Sequence, residues 1–454
     1  MKCIEDEIPF EVPEGWEWSR LQTVTSVLTD GTHKTPTYSD EGFVFLSSKN
    51  VTSGRIDWDN IMYIPESLHE ELYSRLAPKV NDILLAKNGT TGVAAIVDRD
   101  CIFDIYVSLG LIRIVNNIIL PKYILYAIGS TFVQDYFNSS LKGIGVPNLH
   151  LEHIRKTLIP IPSKNEQKHI VNKIEEILPY AEDVNFQVNE LRSSVDAVKA
   201  KILNLAIQGK LVPQDVNDEP ASVLLERIRA EKEKLIKQDK LKRDRKESII
   251  YKGDDNSYYE KFNNGDEKNI TDEIPYEIPK TWEWCRLRHI GNIVGGGTPK
   301  TAIDDYWDGV IPWITPADLS GYEEMYISRG ARNISSLGLS KSSAQLMPKG
   351  TVLFSSRAPI GYVAISNNEI STNQGFKSFI PATVDIASEY MYFCLKARCD
   401  NIIIRASGTT FKEISGSEMA ETLVPVPPVA EQARITTMLY SAFSEISNIE
   451  NGIN

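Results

Sequence analysis

Apolar positions along this chain follow two rhythms. In two long stretches they come as short runs bounded by Gly, Pro, Asn or Ser: FVFLSS, DILLAK, GVAAIV and LGLIRIV in the first, and VIPWIT, TVLFSS, GYVAIS and KSFIP in the second. Such runs between turn formers predict strands of an irregular α+β or mostly β module. One helical stretch per module is expected, at residues 122–137 and 388–399, each followed by a glycine-bearing loop, KGIGVPNL or SGTTFKEI. After Pro162 the rhythm changes. Ile170, Ile174, Ile177, Ala181, Val184, Val188, Leu191, Val195, Val198, Ile202 and Leu205 alternate in steps of four and three, a heptad seam that predicts a long helix packed on another helix. Ser163 with Glu166 reads as a capping-box start and Gly209 as a C-terminal stop. At a rise of ~1.5 Å per residue the seam would be roughly 50 Å long. Pro179 lies inside it and is expected to kink the helix or break it into two pieces.

A shorter seam, Ile435, Leu439, Ala442, Ile446 and Ile449, follows the second stretch. The two seams are each other's obvious partner, within the chain in preference to between chains. The second is long enough to cover about half of the first, which leaves the remainder to pack elsewhere. Between them, GKLVPQDVNDEP reads as a loop, followed by a helix with Leu224, Leu225, Ile228 and Leu235 on one side. Residues 246–271 are polar and without periodicity, and read as a linker.

The pattern is duplicated. DEIPFEVPEGWEWSRL at residues 6–21 returns as DEIPYEIPKTWEWCRL at 272–287 with 11 of 16 positions identical, and LIPIPSKNEQ at 158–167 returns as LVPVPPVAEQ at 423–432. The offsets, 266 and 265, make two modules of nearly one length whose interiors differ. The expected organisation is a first module at 1–162, a central helical spacer at 163–250, a linker at 251–271, a second module at 272–428 and a short distal helix at 429–454.

Composition narrows the function classes. With 454 residues, 42% hydrophobic and 24% charged, the chain fits two or three ordinary globular domains. There is no apolar run of membrane-spanning length and no apolar signal core at the N-terminus, so the expected location is the cytoplasm. Cys3, Cys101, Cys285, Cys394 and Cys399 are odd in number and scattered, and read as ordinary thiols. His150 and His153 form an HxxH without further ligands nearby, and read as helix-surface or turn residues. The net charge of −12 argues against nucleic acid only for the chain as a whole, since phosphate contact needs a local basic surface. Residues 227–246 carry ten basic and four acidic side chains, a solvated helical face or a contact with DNA backbone or an acidic partner.

Catalytic motifs fail on inspection. GGGTPK at 295–300 lacks the Walker spacing, and no amino-methyltransferase motif, GxSxG elbow, HExxH or nuclease cluster is found. What the modules do carry is loops of small polar residues beside bases. They are DGTHKTPTYSDEG, SSKN and AKNGTTG in the first, and GGGTPKT, SSRAPIG and STNQGF in the second. Asn, Gln, Lys and Arg can reach base edges, Ser, Thr and backbone amides hold phosphates, and Gly admits backbone close to a ligand. The candidate DNA-contacting residues are Thr32, His33, Lys34, Lys49, Asn50, Lys87 and Asn88 in the first module, and Lys300, Arg357, Asn373, Gln374 and Lys412 in the second.

These stretches, with the turns GTTGVAAIV and APIGYVAIS, the NQGF at 373–376, the two PxP exits and the central ILNLAIQGKLVPQDVNDEPASVLLERIRAEKEKLIK, occur in an order that resembles the specificity subunit of type I restriction-modification systems over essentially the whole chain. The resemblance implies two tandem target-recognition domains, spaced by coiled-coil helices in a pseudo-two-fold arrangement, each reading half of a split double-stranded DNA site. It implies a non-catalytic chain without cofactor of its own. Partners would be a pair of methyltransferase subunits, using S-adenosylmethionine, and restriction-translocase subunits, using ATP and magnesium. The short distal helix and Pro179 depart from the family pattern and leave the spacer length open. Two other readings stand beside this one: a coiled-coil adaptor that binds only proteins, and a self-contained restriction or modification enzyme, for which no motif is present.

Overall fold

The computed structural model describes residues 5–115, 118–141, 147–238, 246–408 and 412–453. Parts of both expected glycine-bearing loops and of the basic run therefore lie outside the described residues. The chain divides into two compact units, Met1–Phe186 and Gln187–Asn454, and the boundary falls inside the helix Lys164–Ile207.

In the first unit the two duplicated ends pair with each other. Glu17–Arg20 runs antiparallel to Leu158–Ile161 with Trp18 opposite Pro160. Four further strands form a sheet in the order Thr25–Asp30, Leu109–Ile114, Ile83–Ala86, Ala94–Ile96. Its faces follow the two-residue period of a strand: Ile83, Leu85 and Ile112 join a core with Ile124, Ile128 and Phe137 of the helices, while Leu84, Leu109 and Leu111 join Leu46, Val51 and Phe103 on the other side. Burial on both faces explains why ILLA shows no polar alternation. A smaller sheet, Met62–Ile64, Phe43–Leu46 and Phe103–Ile105, supplies that second core. The expected single helix is two, Pro121–Gly129 and Thr131–Ser139, broken at Ser130, which caps the second. Glu66–Arg75 is a further helix that the sequence pattern did not suggest.

The second unit repeats this plan. Glu283–Arg286 pairs with Leu423–Val426, Trp284 opposite Pro425. Its main sheet runs Gly291–Gly295, Lys377–Pro381, Val352–Ser356, Ile360–Ser366 with a fifth strand Tyr326–Ile327, and the smaller one is Arg332–Ile334, Trp307–Ile314 and Ser371–Thr372. Its helical stretch is again divided, into Ser388–Ala397 and Cys399–Ile404. The architecture is α+β with an internal repeat and a long helix between its halves.

The duplicated ends are kept because they tie the module shut. Tyr123 donates to Pro160 O at 2.6 Å, and Tyr390 to Pro425 O at 2.9 Å. The Gln of each exit motif is buried. Gln167 donates to Pro162 O at 3.0 Å and accepts from Leu120 N at 2.8 Å, and Gln432 repeats this with Pro427 O at 3.2 Å and Ala387 N at 2.9 Å.

Lys164–Ile207 is one helix of 44 residues, so Pro179 does not divide it. A proline inside a helix costs about 3 kcal/mol, which a cooperative ladder of this length absorbs. Along its seam, Val195 is buried, Ile170, Ile174, Val188, Ile202 and Leu205 are half-buried, and Ile177, Val184, Leu191 and Val198 are exposed. Within the second unit, Ile202 and Leu203 share a core with Ile435 and Leu439 of the helix Val429–Ile453. Lys199 pairs with Glu450 at 2.6 Å, while Gln214, beyond the end of the long helix, reaches Glu431, so the two helices run antiparallel. Ile446 is buried as well.

The stretch expected as a linker is instead a three-stranded antiparallel meander, Ser248–Lys252, Tyr258–Phe262 and Glu267–Asn269. Its inner face does alternate, but half of that face is polar. Ile250 and Tyr258 pack with Trp284 and Leu423, whereas Ser248 and Glu260 are buried beside arginines. Arg286 meets Glu260 at 2.6 Å, Arg288 meets Glu260 at 2.9 Å and also pairs with Glu421, and Ser248 donates to Glu260 at 2.6 Å. Burial pushes the Glu260 carboxyl up, but the hydrogen bonds from Arg286 and Ser248 and the arginine charges outweigh it and hold it at about 2. His289 lies 3.1 Å from the Ser248 hydroxyl. Its own burial, aided by Arg288 and Lys232, drives it down to about 3, so it is neutral.

Candidate nucleic-acid interface

The polar loops of the first module are held by backbone bonds around the turn at residues 105–108. Thr32 N donates to Ile105 O at 3.1 Å, Tyr106 N to Leu46 O at 2.9 Å, Lys87 N to Ser108 O at 2.8 Å and Leu149 N to Lys87 O at 2.8 Å. The same four bonds recur in the second module around residues 372–375. There Gly297 N donates to Thr372 O at 2.9 Å, Asn373 N to Ile314 O at 2.9 Å, Ser356 N to Gly375 O at 2.7 Å and Ile414 N to Ser356 O at 3.0 Å. Loops that share no side-chain pattern are thus presented on one backbone frame.

Glycine belongs to this frame for a reason other than ligand access. A Cβ at Gly31 would lie 2.0 Å from Ile105 O, and one at the matching Gly296 would lie 2.0 Å from Asn373 O. Close approach to the neighbouring segment, not to a ligand, requires these residues.

The frame brings the candidate side chains together but does not expose all of them. In the first module His33 is 70% exposed with Nε2 3.4 Å from Asp30, Lys34 and Lys49 are exposed, and Asn88 is half-buried. Thr32, Asn50 and Lys87 are buried and occupied. The Thr32 hydroxyl accepts from Lys34 N at 3.3 Å. Asn50 accepts from Ser47 N at 2.9 Å and donates to Asn60 O at 3.0 Å and Asp57 O at 3.3 Å. Lys87 pairs with Asp30 at 2.6 Å. These three residues, expected to touch DNA, build the loops. In the second module Lys300, Gln374 and Lys412 are exposed and Arg357 is half-buried, 3.9 Å from Glu413. Gln374 accepts from the Thr298 hydroxyl. Asn373 spends its Oδ1 on Gly375 N at 2.8 Å.

Two residues that the loop chemistry did not single out hold the site. Arg75 donates to Asp30 O at 3.1 Å and Gly31 O at 2.9 Å, bracing the first loop from the helix Glu66–Arg75. Lys377 pairs with Glu413 at 3.2 Å. Lys377 directly follows NQGF, a spacing legible in the sequence, whereas Arg75 lies in an unremarkable helical stretch. His150 and His153 sit at the start of the short helix Leu151–Lys156, where His153 lies against Tyr136.

The set left exposed or half-exposed is therefore basic side chains and amides: His33, Lys34, Lys49 and Asn88 in the first module, Lys300, Arg357, Gln374 and Lys412 in the second. Such groups suit phosphate oxygens and base edges. Among the described residues no group of three or more His, Cys, Asp or Glu is placed to hold a metal ion.

A family model described as the type I restriction modification DNA specificity domain matches residues 13–181 and 279–454. The type I restriction enzyme EcoAI specificity subunit of Escherichia coli is 26% identical over 500 residues, covering 96% of this chain and 78% of that one. The type I restriction enzyme MjaIX specificity subunit of Methanocaldococcus jannaschii is 46% identical over 177 residues, 38% of this chain; the chain spans only 40% of that relative's length. Among solved structures, a chain of a type I R-M system shares the fold at a TM-score of 0.59 and 18% identity, over 98% of this chain and 94% of that one.

Proposed function

This chain belongs to the type I restriction modification DNA specificity family, and from that premise we propose that it is the non-catalytic recognition subunit of a type I restriction-modification complex. Each module reads one half of a split double-stranded DNA site, the first through His33, Lys34, Lys49 and Asn88, the second through Lys300, Arg357, Gln374 and Lys412. The observation that carries this reading is the four-bond frame built twice and dressed with different exposed side chains. One geometry with two chemistries is what an asymmetric split target requires.

The chemistry belongs to the partners. Methyltransferase subunits, two per complex, bring S-adenosylmethionine, and restriction-translocase subunits bring ATP and magnesium. Base extrusion, which adenine methylation requires, falls to the methyltransferase. The exposed seam residues Ile177, Val184 and Leu191 give such partners an apolar helix face to cover. Among the described residues no helix is long and apolar enough to cross a membrane, and a chain working on chromosomal DNA acts in the cytoplasm.

The test is methylome sequencing of cells carrying this gene and its neighbouring methyltransferase gene, with and without deletion of this gene alone. A split motif of modified adenines that disappears on deletion is the expected result. Unchanged modification, together with no sequence preference of the purified complex for DNA, would move the protein-binding adaptor to the front.

A further inference from the structure

A lysine ammonium lies beneath the candidate face in both modules, and it arrives from different strands. In the first module Lys87, just past the strand Ile83–Ala86, sends Nζ to Asp30 Oδ2 at 2.6 Å and to Val107 O at 3.3 Å. In the second, Lys377 opens the neighbouring strand and sends Nζ to Gln374 O at 3.4 Å, the Ser356 hydroxyl at 3.4 Å and Glu413 Oε1 at 3.2 Å.

The repeated frame shows that the two ammonium groups occupy one place. Ser356 takes the part of Lys87 in the four bonds, and Gln374 stands in its turn where Val107 stands in the first. Both lysines therefore donate to the same carbonyl of the frame. The strand register agrees: Asp30 is opposite Gly110, and Gly295 is opposite Lys377. The three positions around the ammonium read Asp30, Gly110, Lys87 in one module and Gly295, Lys377, Ser356 in the other. Each lysine runs past the glycine of its set: a Cβ at Gly110 would meet Lys87 Cδ at 3.5 Å, and a Cβ at Gly295 would meet Lys377 Cδ at 3.9 Å. Aligning the two modules residue by residue would not pair the lysines.

The counter-ion differs, and with it the segment that is held. Asp30 opens the loop carrying His33 and Lys34, whereas Glu413 adjoins Lys412 and faces Arg357. Neither ammonium is free to meet DNA, since the lysine side chains are 6% and 15% exposed. We propose that Lys87 and Lys377 are positioning residues that set half-site selectivity by clamping the reading turn, each for its own module. This rests on the recognition role proposed above.

The experiment is methylome sequencing of cells expressing the full complex with altered forms of this chain. Lys87→Met alone leaves the Asp30 carboxylate without its ammonium, which endangers folding, so the Asp30→Asn/Lys87→Met pair is tested beside it. The expected result is a relaxed half-site for the first module, with discrimination falling roughly tenfold at one or more positions, and an unchanged half-site for the second. Lys377→Met should do the reverse, and Lys87→Arg, which keeps the charge, should restore selectivity in part. An intact motif in the double variant and in Lys377→Met, or equal degradation of both half-sites, would overturn the proposal. Absence of any split motif with the unaltered chain would instead overturn the recognition role itself.

Discussion

Arg20 and Arg286 stand at the same place in the two modules and do different work. Both donate to a carbonyl of the closing segment, Lys156 O for Arg20 and Glu421 O for Arg286, and both meet an acid at the module entrance, Glu7 or Glu273. Arg20 stops there, with 30% of its side chain exposed. Arg286 is 8% exposed because the meander covers it and supplies Glu260. The same residue is thus a surface pair in one copy and the centre of a buried network in the other. A duplicated joint tolerates additions when it offers a charge for the newcomer to meet.

Breaking that network gives the largest expected difference between the copies. Glu260→Gln or Arg286→Met strands a buried charge and should destabilise the second unit by about 3–5 kcal/mol, while Arg20→Met should cost under about 1 kcal/mol. Hydrogen exchange followed peptide by peptide in the full chain separates the two units. Equal losses at both arginines would contradict the comparison.

Acid should also act on the second unit first. His289 has a folded value of about 3 against an ordinary 6.5, so between these values the unfolded chain binds a proton that the folded one refuses. Its contribution is complete above about pH 6.5 and falls as pH drops toward 3, by ~1.4 kcal/mol per pH unit. Glu260, at about 2 against 4.5, adds a loss of the same sign below pH 4.5. The first module has Thr23 where the second has His289. Denaturant midpoints from pH 7.5 to 4 should therefore slope in the wild-type second unit and flatten in His289→Thr.

The smallest effect tests where the copies agree. Tyr123→Phe and Tyr390→Phe each remove one hydrogen bond to a strand-end carbonyl, and each should cost about 1 kcal/mol in its own unit. A large difference between them would mean that the shared joints are not energetically alike.

Much of this was legible in the residues. The repeat and the strand runs follow from apolar spacing, because those elements bury apolar faces; the long seam does so only in part, with Ile177, Val184, Leu191 and Val198 left exposed. The meander did not, since its inner face mixes Ile250 and Tyr258 with Ser248 and Glu260, and a buried acid looks like a surface one until its arginine is found. The long helix runs through Pro179, where local propensity alone argued for a kink or a break. Loop chemistry named Thr32, Asn50 and Lys87 as contact residues, and the structure buries all three. A polar side chain in a loop can serve the loop's own backbone, and sequence does not say which way it turns. The matched lysines were hidden for a related reason, as they converge in space from unmatched positions.

The entrance and exit of each module lie side by side, Glu17–Arg20 against Leu158–Ile161 and Glu283–Arg286 against Leu423–Val426. Whatever lies between them begins and ends at one spot on the scaffold. An exchange between the two duplicated flanks would replace an interior whole, leaving both joints intact. New combinations of half-sites then become accessible by recombination in a single step, without a succession of substitutions that each must preserve a working face.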